Sequence, residues 1–139
     1  CLPAEMRAVF GTRYPLGMER ARRIRAALQD IYERENSVTL ERLHELPKRD
    51  ARDRLLAIPG VGPFVAARVM LLGLEAHAAP LDGRLVRALR AEGAVPSDIR
   101  IDDAGQWAER HIRAADARDT YLRLERWADG PAADGKEPA

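Results

Sequence analysis

The stretch Leu55-Leu56-Ala57-Ile58-Pro59-Gly60-Val61-Gly62-Pro63-Phe64-Val65-Ala66-Ala67 constrains the fold more than any other part of the chain. An apolar helix end, a Pro-Gly-Val-Gly turn and a second apolar helix predict a hairpin, because Pro and Gly punctuate helical periodicity. Pro63 suits the first position of the second helix, where its missing N–H costs nothing and its φ is already helical. The glycines uncover backbone N–H groups beside a helix N-terminus, a surface suited to phosphate, so Gly60, Val61 and Gly62 are candidate contacts to a nucleic-acid backbone. Downstream, Pro80-Leu81-Asp82-Gly83 sets a carboxylate directly before another helix. Asp is a favoured N-cap, which alone accounts for Asp82. Capping and chemistry are compatible, since a carboxylate that accepts N–H bonds in the helix dipole is favoured in its ionised form.

The rest of the chain reads as further helices. Pro3 to Phe10 is a short one, followed by a turn-rich break from Gly11 to Gly17. From Met18 to about Glu33, the apolar residues Ala21, Ile24, Ala27, Leu28 and Ile31 recur at helical spacing. Asn36-Ser37 ends that helix, Thr39 caps Leu40 to Leu46, and Asp50 caps Ala51 to Ile58. The helix from Pro63 runs to Leu74, apolar nearly all round, and is expected to be the buried centre. Asp82 caps Gly83 to Arg90; Asp102 or Asp103 opens a helix to about Ala114, and Asp116 or Ala117 opens the last, to Ala128. Trp107, Ile112, Tyr121, Leu124 and Trp127 supply their core faces.

Strand-forming residues are sparse and Ala and Arg abundant, so an all-α fold with no sheet is expected. A length of 139 residues is that of one domain, read here as 1–128 with a disordered tail over 129–139 that has nothing to bury. The net charge of +1 excludes a strongly basic chain, so any affinity for polyanions must be local. Arg13, Arg20, Arg22, Arg23 and Arg25 precede the hairpin and Arg68, Arg84, Arg87 and Arg90 come after it, while the acids gather over Asp98 to Asp119 and the tail. Each of these arginines is equally well explained as part of a solvated helix face. The single cysteine, Cys1, excludes a disulfide framework and a thiolate cage, and makes a cytoplasmic, reducing compartment the expectation. No apolar run reaches membrane-spanning length and no leader pattern is visible. His44, His77 and His111 lack ligand spacing, so no metal site is expected from them.

The hairpin resembles the helix-hairpin-helix motif. Together with Leu81-Asp82-Gly83 it resembles the endonuclease III-like superfamily of DNA glycosylases, over roughly Glu5 to Trp127. The resemblance implies monofunctional removal of a mispaired or damaged base from double-stranded DNA in base-excision repair, by hydrolysis of the N-glycosidic bond. It assigns Asp82 the catalytic carboxylate, and Arg68 or Arg84 added phosphate contacts. Bifunctional members carry a Lys two positions after the last hairpin glycine, which forms a Schiff base with the sugar. Here that position is Phe64, either a pocket wall or a core residue, so no lyase step is implied. Leu81-Asp82-Gly83 resembles the adenine glycosylases, whereas Pro63-Phe64 and Pro15-Leu16-Gly17 with Arg20-Ala21 after it resemble the thymine mismatch group. The excised base stays open between them.

The chain departs from the superfamily in having no cysteine beyond Trp127, so the four-cysteine iron–sulfur cluster is not expected. A monovalent cation at the hairpin carbonyls is implied by relatives. Relatives also carry a helical segment before the part matching Glu5 to Arg25, so the chain, which starts at Cys1, is expected to be a partial domain. A monomer is expected, associated with the nucleoid if the source is bacterial or archaeal. Two other readings stand beside the enzyme: a non-catalytic helix-hairpin-helix DNA-binding module, and a helical protein-interaction domain with a coincidental Pro-Gly-Val-Gly turn.

Overall fold

The computed structural model describes residues 2–11 and 16–133, and among these it is all-helical with no strand. Cys1, Arg13 and most of the break before α2 lie outside the described residues, as do residues 134–139 of the expected tail. The chain forms two compact units, Cys1–Gly62 and Pro63–Ala139, which meet in sequence inside the segment read as a hairpin. No described helix is long and apolar enough to cross a membrane.

The first unit holds α1 (Pro3–Phe10), α2 (Gly17–Glu35), a 3₁₀ turn (Glu41–Glu45) and α3 (Lys48–Leu56). α1 packs along α2. Asn36 stops α2 in the left-handed region (φ 58°), its N–H bonding to the Tyr32 carbonyl at 2.9 Å. That is the cap expected of Asn, whose short polar side chain tolerates the conformation. Thr39 does accept the Glu41 N–H, at 3.3 Å, but the segment it opens is a 3₁₀ turn rather than an α-helix. α3 starts at Lys48, earlier than expected: extended Pro47 flanks it and Asp50 falls inside its first turn. The apolar stripe of α2 is only half used. Ala21 and Ile31 are buried, whereas Ile24 remains 41% exposed and Leu28 is also open.

Charge ties α2 to α3. Arg54 of α3, largely buried, reaches Asp30 at 3.5 Å and Glu35 at 3.6 Å, while Arg34 and Arg42 pair with the same two acids from the outside. Leu55 and Ile58 are both almost fully buried, each contributing about 1.5–3 kcal/mol of apolar burial.

The second unit holds α4 (Pro63–Arg68), a π-helical turn (Val69–Gly73), α5 (Gly83–Ala91), α6 (Ile101–Glu109), a 3₁₀ turn (Ala114–Asp116) and α7 (Ala117–Ala133). Pro63 opens α4 as expected, but the helix does not run on to Leu74 in α form. Its ladder widens, with the Leu74 N–H bonding to the Val69 carbonyl at 3.0 Å. Nor is it buried all round: Ala66, Ala67, Met70 and Leu71 face inward, while Val65 is exposed and Phe64 half-buried. α6 packs on α4. Gly105 of α6 meets the connection ahead of α5 instead: a Cβ there would lie 2.7 Å from the Ala79 carbonyl oxygen, so that approach admits only glycine. Asp102 and Asp103 sit in the first turn of α6, after Arg100 at the cap. α7 continues past Ala128, with non-helical backbone at Gly130. Of the residues assigned to core faces, Tyr121 is buried but Trp127 is 45% exposed.

Candidate nucleic-acid interface and carboxylate site

α3 closes with the Ala57 N–H on the Asp53 carbonyl and the Ile58 N–H on the Leu55 carbonyl, both at 3.1 Å. The chain then reverses. The Val61 N–H donates to the Ile58 carbonyl at 3.1 Å, with Pro59 second and Gly60 third at φ 83°. This is a type II turn, which needs a positive φ at its third residue and favours Pro at its second. The Val61 amide is therefore used inside the turn and is not a donor to a ligand. Among the described residues the Gly60 and Gly62 amides have no acceptor, and Gly60 is exposed.

A basic residue borders Gly60. A Cβ on Gly60 would lie 3.9 Å from Arg23 Cβ and Cγ, so the stem of Arg23 crosses the turn from α2. Arg22 and Arg25 are likewise exposed on that helix. Gly62 has no neighbour within 4 Å of a built Cβ, so its face is open. Two uncovered amides, one of them bordered by an arginine stem, can hold a phosphate oxygen.

In the second unit Asp82 is the N-cap of α5. Its Oδ1 accepts the Leu85 N–H at 2.8 Å, and its own carbonyl accepts the Val86 N–H at 2.9 Å. The residue is half-buried, and its other carboxylate oxygen has no hydrogen-bond partner among the described residues.

Around Asp82 the structure gathers groups from three helices. Arg84, second in α5, pairs with both Glu125 and Asp129 of α7. Those contacts, the Glu125 hydrogen bond foremost, hold the guanidinium more firmly protonated. One turn before Glu125, Tyr121 is buried with its hydroxyl near that carboxylate but without a well-formed hydrogen bond. Burial pushes its phenol up to about 12, Glu125 and Asp82 add to the rise, and the Arg68 guanidinium opposes it. Arg68 is exposed at the end of α4.

The assigned residues thus separate into two groups. Gly60 and Gly62 belong to the turn with Arg23, whereas Asp82, Arg68 and Arg84 share the neighbourhood of Tyr121 and Glu125. Arg84, expected to meet phosphate, is engaged by two carboxylates of α7. The sequence pattern marks Tyr121 only as core and does not single out Glu125 and Asp129. Their i, i+4 spacing on one helix face is a visible signal, but their partner lies 41 and 45 residues away.

Behind Leu81 lies an apolar cavity of about 200 Å³, walled by Pro80, Leu89, Val95, Trp107, Ile112, Tyr121 and Leu124 among others. The Trp107 and His111 rings stack at 4.0 Å on its rim. Neither Asp82 nor Phe64 lines it. No three His, Cys, Asp or Glu side chains of the described residues could jointly hold a metal ion. No family model matches the chain, and no curated protein matches it.

Proposed function

We propose that the protein serves DNA base excision, as a monofunctional N-glycosylase acting on a mispaired or damaged base. The observation that carries this reading is Asp82: one carboxylate oxygen is fixed by the Leu85 amide and the other is uncommitted beside a surface of α5. A fixed carboxylate is suited to stabilise the cationic sugar left as a base departs and to orient the water that then adds to it. The nucleotide would be turned out of the duplex to reach it. The turn at Gly60 to Gly62, with Arg23, would grip the backbone without reading sequence, because its donors are main-chain groups. Phe64 offers no amine, so the abasic strand would be left uncut.

Single-turnover excision on a panel of mismatched duplexes tests this. The expected result is base loss by wild type, loss of that activity in Asp82→Asn with DNA binding retained, and no adduct trapped by borohydride. Asp82→Asn excising at the wild-type rate while folded would refute the catalytic role. A second reading, a DNA-binding module without catalysis, draws support from the absence of Asp82 from the cavity lining. It predicts binding with no excision on any member of the panel.

A further inference from the structure

We propose that Arg84 is a phosphate-binding residue held closed in the free protein by an internal mimic of its ligand, the carboxylates of Glu125 and Asp129. The inference rests on the DNA-binding reading above and adds a control to it.

Arg84 lies in the first turn of α5, two residues after Asp82, where a DNA strand bound at Asp82 would bring its phosphates. Its side chain is 39% exposed, so a phosphate can reach it. The guanidinium fork, which matches a phosphate or a carboxylate equally well, is filled by two separate acids. Both come from one face of α7, four residues apart, so a single helix supplies the whole clamp.

The surrounding charge sharpens the point. Asp82, Glu125 and Asp129 offset Arg84, Arg68 and Arg87, whose guanidinium lies over Gly83, so the locality has no basic excess to offer a polyanion while the clamp is shut. Arg68 has no ion pair among the described residues and is the open counterpart of Arg84. The clamp is also built to yield. Its Asp129 arm is exposed to water, which screens it, and Asp129 immediately precedes the non-helical backbone at Gly130, whereas the Glu125 arm is part-buried. A duplex phosphate, a diester with one negative charge like a carboxylate, exchanges with Glu125 and Asp129 because the neighbouring phosphates of the polyanion add to its field, and the two acids move into solvent.

Fluorescence anisotropy of a labelled duplex across a salt series tests this on the full chain. The variants are Glu125→Gln/Asp129→Asn, the same pair with Arg84→Gln, Asp129→Asn alone, and Gly62→Leu. The open-clamp pair is expected to bind about tenfold tighter than wild type, the scale of one charge-assisted hydrogen bond. Its log–log salt slope should steepen by about 0.9, one extra phosphate contact. Asp129→Asn alone, the milder change, should show part of the gain. Adding Arg84→Gln should abolish it.

Unchanged affinity in the open-clamp pair overturns the proposal. So does an equal gain with Arg84→Gln present, which would mean general relief of negative charge, and so does absence of binding by every variant. Weaker binding by Gly62→Leu supports the turn as the backbone grip. If Gly62→Leu binds like wild type while the Arg84-dependent gain persists, the role of the turn falls and the clamp stands.

Discussion

Asp82 Oδ1 and the Leu85 amide lie 2.8 Å apart, so one carboxylate both closes the first turn of α5 and is itself aimed by that turn. Capping and chemistry can therefore be separated by substitution. Asp82→Asn should hold thermal stability close to wild type, since Asn and Asp cap comparably, whereas Asp82→Ala should cost about 1 kcal/mol. If excision is lost by about a hundredfold or more in both, the charge matters and not the cap. Thermal denaturation alongside single-turnover rates gives the two readouts.

The two glycines of the turn should behave differently. Gly60 holds φ 83°, so Gly60→Ala is expected to destabilise the protein by about 1–2 kcal/mol through backbone strain. Gly62 is open and outside the left-handed region, so Gly62→Ala should change stability by no more than about 0.5 kcal/mol. Gly62→Leu should then weaken binding to all duplexes alike without unfolding the chain. Urea titration and binding to two unrelated duplexes check the pair.

Tyr121 sets an alkaline limit. Its phenol ionises at about 12 when folded against about 10 when unfolded, so the native state holds the proton more tightly. The resulting stability, roughly 3 kcal/mol, is complete below pH 10 and is lost as pH rises from 10 to 12. Tyr121→Phe should remove this slope. At neutral pH it should alter stability by less than about 1 kcal/mol, because the hydroxyl makes no well-formed hydrogen bond. Denaturant midpoints of both proteins at pH 8 and pH 11 decide it.

Arg54 is the hinge of charge between α2 and α3. Arg54→Ala leaves Asp30 and Glu35 facing each other in a poorly hydrated place and should destabilise by about 3 kcal/mol. Arg54→Met, which restores the apolar stem without the charge, should recover only part of that loss while both acids remain. Triple replacement with Asp30→Asn and Glu35→Gln should recover more. Equal stability of Arg54→Ala and wild type would show the network to be inert.

Local chemistry is legible in the chain and distant pairing is not. Asn36, Pro63 and Asp82 each act within one turn of their own position, and each marks its helix end where the residue type predicts. The start of α3 differs from expectation because Pro47 and Asp50 both suit a helix beginning, and only the fold chooses between them. Nothing in Val69-Met70-Leu71-Leu72-Gly73 forbids a regular helix, and apolar periodicity does not mark the wider turn that forms there. Trp127 falls on a helical stripe yet faces outward. The carboxylate pair that engages Arg84 depends on α5 meeting α7, a contact no short-range pattern encodes.

The π-helical turn makes chain length in this region a functional quantity. The bond from Leu74 to Val69 spans five residues where an α-helix spans four, so the helix has absorbed an extra residue where it leaves its axis. Deleting any one residue between Val69 and Gly73 would restore ordinary α geometry and lose no core side chain of note if Gly73 were the one removed. It would also rotate the outgoing chain by about 100°, the angle of one residue in an α-helix. The connection from there to Leu81 would then approach α5 from the wrong side, and Asp82 would be delivered to the wrong place. A single-codon deletion there should therefore be far more damaging than most substitutions at the same positions.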